Sequence, residues 1–184
     1  MTTTDDRELR ERAVSAIAER GERTLVLCTD ERAEAGARRM LPRLPDVCFV
    51  ETGAHTDAAV ARAVEDALPQ LVLVGTADAL TGLTGGPDPE SVLERITRDM
   101  SGDEALAAEV AGARSGREAS ELWDAAGVLG PCGRELCRHV ADGLERFAAD
   151  RAGTATSPIA AQVVLVDATG ERMVGMYGRM ARSG

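Results

Sequence analysis

Three short apolar runs constrain this chain more than any other feature. They are Thr24-Leu25-Val26-Leu27-Cys28, Val47-Cys48-Phe49-Val50 and Leu71-Val72-Leu73-Val74. Each is too short for a core helix and has no polar alternation, which is the pattern of a strand buried on both faces. Between them, residues 31–44 and 56–68 are helix-length and carry charge on one side. The first stops at Pro42 and Pro45 and the second at Pro69, since proline cannot continue a helix. Strand, helix, strand, helix, strand predicts right-handed crossovers and a central parallel sheet flanked by helices, an α/β fold. In front stands an amphipathic stretch, residues 5–20, with Leu9, Ala13, Val14 and Ile17 on one face and a stop at Gly21.

The second half reads mainly as helix. Residues 88–100 place Val92, Ile96 and Met100 on one side. Residues 102–126 are helical but broken near Gly112 and Gly116, and residues 133–150 form a long helix striped by Leu136, Val140, Leu144 and Phe147. After a polar connection at 153–158, strands at 162–166 and 172–177 are joined by Asp167-Ala168-Thr169-Gly170, a hairpin signal. No repeat or linker divides the 184 residues, so the expectation is one α/β domain with residues 1–21 as a helical arm.

In a parallel sheet the C-terminal ends of the strands share one edge, and ligands bind there. Strand one delivers Cys28, Thr29 and Asp30, with Arg32 just beyond. Strand two delivers Glu51, Thr52 and His55, and strand three delivers Thr76, Asp78 and Thr81. The stretch with Thr76, Asp78, Thr81 and Thr84 and with Gly82, Gly85 and Gly86 could cradle an anion on backbone N–H groups. It lacks the lysine and spacing of a phosphate loop, and a plain flexible connection fits it better. Cys132, Cys137 and His139 resemble a metal cluster only on paper. At about 100° per residue, neighbouring pairs point roughly 140° and 160° apart on an intact helix. Cys132, beside Pro131, could sit in a first helical turn, where a thiol is activated, which makes it a minor candidate for a reactive thiol.

Composition excludes several functions. The net charge is −10, which argues against nucleic acid and anionic membrane as partners. All 21 basic residues are arginine, so a lysine Schiff base is ruled out. Phe49, Trp123, Phe147 and Tyr177 are the only aromatics, too few for a base-stacking platform. No apolar run approaches the roughly 18 residues of a spanning helix. The polar residues 1–12 do not read as a signal peptide. The expectation is a cytoplasmic protein with reduced cysteines, and no cofactor motif appears.

Cys28-x-Asp30-x-Arg32 after the first strand resembles the opening zinc-site motif of the β-class carbonic anhydrases. Residues 46–50 resemble that family's second strand, and Gly75-Thr76-Ala77-Asp78-Ala79 falls where it has a His-x-x-Cys segment. The closing VVLVDATGERM resembles its terminal hairpin, and the N-terminal helix resembles the arm that wraps a partner subunit. The similarity spans most of the chain and is weakest over 101–157. It implies a homodimer with a pocket at the strand edge. Two of three zinc ligands are replaced, by Thr76 and Ala79, and tight sites need three or four ligands. Glu51-Thr52-Gly53 also departs from the family pattern. The implied protein therefore lacks the zinc triad and CO₂ hydration. It holds a small polar or anionic ligand instead, with Asp30 and Arg32 as the working pair and Cys28, His55, Thr76, Asp78 and Ala79 around the ligand. Two alternatives stand beside this reading. One is a scaffold or regulatory protein with a vestigial pocket. The other is a retooled hydrolase or lyase using Cys28 or an unusual metal set.

Overall fold

The computed structural model describes residues 3–85 and 88–181. It is an α/β fold with one five-stranded sheet in the order β2-β1-β3-β4-β5. The strands are β1 (Thr24–Cys28), β2 (Phe49–Glu51), β3 (Gln70–Gly75), β4 (Ala160–Val166) and β5 (Met173–Gly178). The first four run parallel, and β5 is antiparallel to β4, so the sheet is mixed. Helices α1 (Thr3–Glu19), α2 (Glu31–Met40) and α3 (Thr56–Glu65) surround the first strands. The long crossover from β3 to β4 holds α4 (Ala77–Gly82), α5 (Pro89–Ser101), α6 (Glu104–Ala111), α7 (Gly116–Ala125) and α8 (Leu129–Ala152).

Alternation along the strands divides the core in two. Leu25, Leu27, Leu71, Leu73, Val163 and Leu165 pack with residues of α1, α3, α5 and α8. Val26, Cys28, Val72, Val74, Val164 and Val166 pack with Ala33 and Ala37 of α2 on the other face. Each fully buried Leu contributes about 1.5–3 kcal/mol relative to exposure. The large first cluster is therefore the main source of stability. It holds Val14 and Ile17 of α1 at zero exposure, so α1 is part of this chain's own core and not a free arm.

Several local expectations are corrected. The three residues Asp46–Cys48 form a single 3₁₀ turn, and β2 begins only at Phe49. Thr56, which the sequence suggests as the N-cap of the helix at 56–68, is instead the first residue of α3, with His55 at the cap and the Thr56 hydroxyl buried 3.2 Å from that of Thr52. The Gly/Thr-rich stretch after β3 is not a plain connection, because residues 77–82 wind into α4. Gly86, part of the same reading, lies outside the described residues. Helix α8 starts four residues earlier than its apolar stripe suggested, at Leu129. Its Cys132 is buried, and burial pushes the thiol up to about 11, the reverse of activation.

Candidate functional site

Chain order fixes where a ligand can enter. From β1 the chain passes through α2 to β2 on one side, then through α3 back to β3 on the other side of β1. The topological switch point therefore lies between the C-terminal ends of β1 and β3, where the connecting segments diverge and leave a crevice. A cavity of about 400 Å³ opens next to it. Asp30 and Arg32 line it from the β1 side, and Thr76, Ala77, Asp78 and Ala79 from the β3 side. Leu165, Val166, Asp167 and Ala168 come from the end of β4, and Arg172 and Val174 from β5 and its turn. Helix α7 closes the remaining wall with Arg117, Ser120, Glu121 and Asp124.

Each wall has a local cause. Asp30 is the N-cap of α2, and its carboxylate accepts the Ala33 N–H at 2.8 Å. Asp78 accepts the Arg117 N–H at 2.7 Å and so fastens the start of α7 to α4. That contact needs Gly116, since a Cβ there would sit 2.5 Å from both the Ala77 carbonyl oxygen and Thr81 Oγ1. From its other side α7 is fixed by the buried Trp123, whose indole N–H donates to Thr97 Oγ1 at 2.8 Å. The β4–β5 turn is clamped on α2. Arg32 donates to the Ala168 carbonyl at 3.1 Å and Arg39 to that of Gly170 at 2.6 Å. Gly170 has φ +75 and lies against the Arg32 backbone, so no side chain fits there.

The lining carries five carboxylates (Asp30, Asp78, Glu121, Asp124, Asp167) against three guanidiniums (Arg32, Arg117, Arg172). The guanidiniums are partly committed. Arg117 pairs with Glu121 at 2.9 Å, and Arg32 is bonded to the turn. The Asp124 carboxylate has no partner among the described residues. Leu129 and Val174 give the cavity an apolar side, while Leu165 and Val166 border it with side chains buried in the two cores. Behind it, Thr29 Oγ1 is buried without a partner among the described residues, pressed against Gly75, where a Cβ would meet Thr29 and Leu80 at 2.9 Å.

Five of the seven residues singled out from sequence therefore line this cavity: Asp30, Arg32, Thr76, Asp78 and Ala79. Cys28 does not. It points to the α2 face at zero exposure, and burial, followed by the nearby Glu34, pushes its thiol up to about 12. His55 is also elsewhere, beside Arg7 and Glu11 where α3 begins under α1. Asp30 and Arg32 are not an ion pair, because the carboxylate caps a helix while the guanidinium reaches the hairpin. Among the described residues no three His, Cys, Asp or Glu side chains come together as a metal site. No described helix is long and apolar enough to cross a membrane. The sequence reading missed the α7 wall. Its signal was present, since Arg117, Ser120, Glu121 and Asp124 follow the i, i+3, i+4, i+7 spacing of one helix face.

Comparison with known proteins overturns the carbonic anhydrase resemblance. The chain is 45% identical over 179 residues to the cobalt-precorrin-5B C(1)-methyltransferase of Salinispora arenicola, which is 92% of this chain and 45% of that protein. It is 42% identical over the same length to the enzyme of that name from Salinispora tropica, and 41% identical over 145 residues to the one from Rubrobacter xylanophilus. The chain thus spans about half the length, or less, of the curated relatives it matches. No protein-family model matches it, and no solved structure does. Identity at this level over nearly the whole chain outweighs short motifs. Cys28-x-Asp30-x-Arg32 has a local explanation: a buried strand residue, a helix N-cap and a first-turn arginine, which any strand-to-helix junction can bring together. The expected zinc-less carbonic anhydrase, with its scaffold and hydrolase alternatives, gives way with it.

Proposed function

We propose that this chain is the α/β unit of a cobalt-precorrin-5B C(1)-methyltransferase and that its cavity at the β1–β3 switch point holds the methyl donor. The identity to the Salinispora enzymes over 92% of the chain is the observation that carries the reading. The donor class is a sulfonium, as in S-adenosylmethionine, which supplies an electrophilic methyl group to a nucleophilic carbon.

The lining fits that class. A cavity of about 400 Å³ is at the small end of ligand pockets, about 300–1,000 Å³, and suits a nucleoside-sized molecule better than a tetrapyrrole. Its excess of carboxylates favours a cationic group, and the unpaired Asp124 is placed to accept hydrogen bonds from a diol or an ammonium. The apolar side, Leu129 and Val174, suits a flat heterocycle. Asp30 and Asp78 each spend one carboxylate oxygen on a backbone N–H, which fixes the group while leaving the second oxygen for a ligand. These groups bind and orient. Alignment of donor and acceptor is the main requirement of such a transfer.

Calorimetric titration with S-adenosylhomocysteine tests this. The expected result is one site per chain, with Asp124→Asn weakening it about tenfold, the cost of one charge-assisted hydrogen bond of roughly 1.5 kcal/mol. Absence of heat up to millimolar ligand, with the fold intact, would remove the donor from this cavity.

A further inference from the structure

We propose that the outer edge of β5 is the seat of the additional polypeptide that the related corrin methyltransferases carry beyond the stretch matched here. This rests on the kinship stated above and concerns a different surface. β5 ends the sheet, and its outer edge pairs with no strand among the described residues. Met173, Met176, Tyr177 and Met180 are 51%, 45%, 39% and 63% exposed, and they make up half of the large hydrophobics exposed among the described residues. Natural edges are blunted by Lys, Pro, inward charge or a bulge. Here one extra residue, Val174, kinks the start of the strand against β4, yet Gly175-Met176-Tyr177-Gly178 beyond it has no charge and no proline. An open apolar edge of this kind is a template for an added strand or a covering segment.

The choice of occupant follows from length. In the Salinispora relatives the matched stretch is 45% of the protein, so more than half of each polypeptide lies outside it and is the occupant nearest to hand for an open edge. The other exposed large hydrophobics among the described residues, Leu9, Met40, Met100 and Phe147, are spread over four different helices, α1, α2, α5 and α8, whereas Met173, Met176, Tyr177 and Met180 follow one another along β5 and just beyond it. The β5 edge is also continuous with the cavity, since Arg172 and Val174 line it and Met173 borders the adjoining cleft with Asp124 and Leu129. A body seated on β5 would stand at the cavity mouth, where a reactant too large for the cavity has to be held.

Amide hydrogen exchange tests the proposal, comparing this chain with the full-length Salinispora arenicola enzyme over the strand aligned with β5. In this chain alone, the outward amides of residues 175–178 are expected to exchange rapidly. In the full-length relative they are expected to slow by about two orders of magnitude, as for paired sheet amides. Equal exchange in both would overturn the proposal. So would protection in the isolated chain together with sedimentation as a dimer, which would make a second copy the occupant. Donor binding is read separately by calorimetry. An enzyme that binds S-adenosylhomocysteine but leaves this edge unprotected overturns the edge proposal alone, and the opposite pattern overturns the donor site alone.

Discussion

At the scale of single residues, the carboxylates near the cavity serve both folding and binding. Replacing Asp30 with Ala removes the N-cap of α2, and thermal or denaturant unfolding should show a loss of about 1 kcal/mol. Asp124 caps nothing, so Asp124→Asn should leave stability within about 0.5 kcal/mol of the parent. The cysteines make the opposite case. Burial pushes Cys28 and Cys137 up to about 12 and Cys132 up to about 11, from an ordinary value of 9.0. A thiol harder to ionise when folded supports the fold below the unfolded pKa, and that support is lost as pH rises through the folded one. The chain should therefore lose stability between about pH 9 and 12, and iodoacetamide at pH 8 should label these thiols only after unfolding. Rapid labelling of Cys28 in the native state would show that α2 does not cover it. The sequence placed Cys28 at a strand end correctly. It could not say which face the side chain took, because a run apolar on every position carries no alternation to read.

At the scale of elements, the cavity depends on how closely α7 approaches α4. Gly116→Ala would put a Cβ 2.5 Å from the Ala77 oxygen, and the helices would have to separate. Overpacking of this kind costs about 1–3 kcal/mol, readable by urea unfolding, and should also weaken ligand at the α7 wall. Trp123→Ala should cost more, about 3–5 kcal/mol, since it empties a buried site and leaves Thr97 without its indole partner. If Gly116→Ala left both stability and binding unchanged, the α4–α7 contact would not shape the cavity. The β1–α2–β2–α3–β3 order and the closing hairpin were legible from apolar runs and turn residues. Helices α6 and α7 were legible only as a broken helical stretch. Which break becomes a wall of the cavity depends on the distant partner Asp78, 39 residues earlier, and local sequence does not encode that distance.

At the scale of the whole molecule, the parallel order of the first three strands put Asp30, Thr76 and Asp78 on one edge before any side chain was placed, which is why that part of the candidate site was readable, while the ends of β4 and β5 and the α7 wall were not. The function was not. The motif that suggested carbonic anhydrase is assembled from residues with structural duties, and such duties recur across unrelated α/β proteins. A bound donor should raise the midpoint of thermal unfolding in a concentration-dependent way, as binding to the native state alone requires. A crystal structure of the chain with S-adenosylhomocysteine decides whether this cavity is the donor site. The ligand is expected in the cavity between the ends of β1 and β3, with Asp124 within hydrogen-bond distance of it and the heterocycle against Leu129 and Val174. Ligand bound at any other surface, with this cavity filled by water alone, would contradict it.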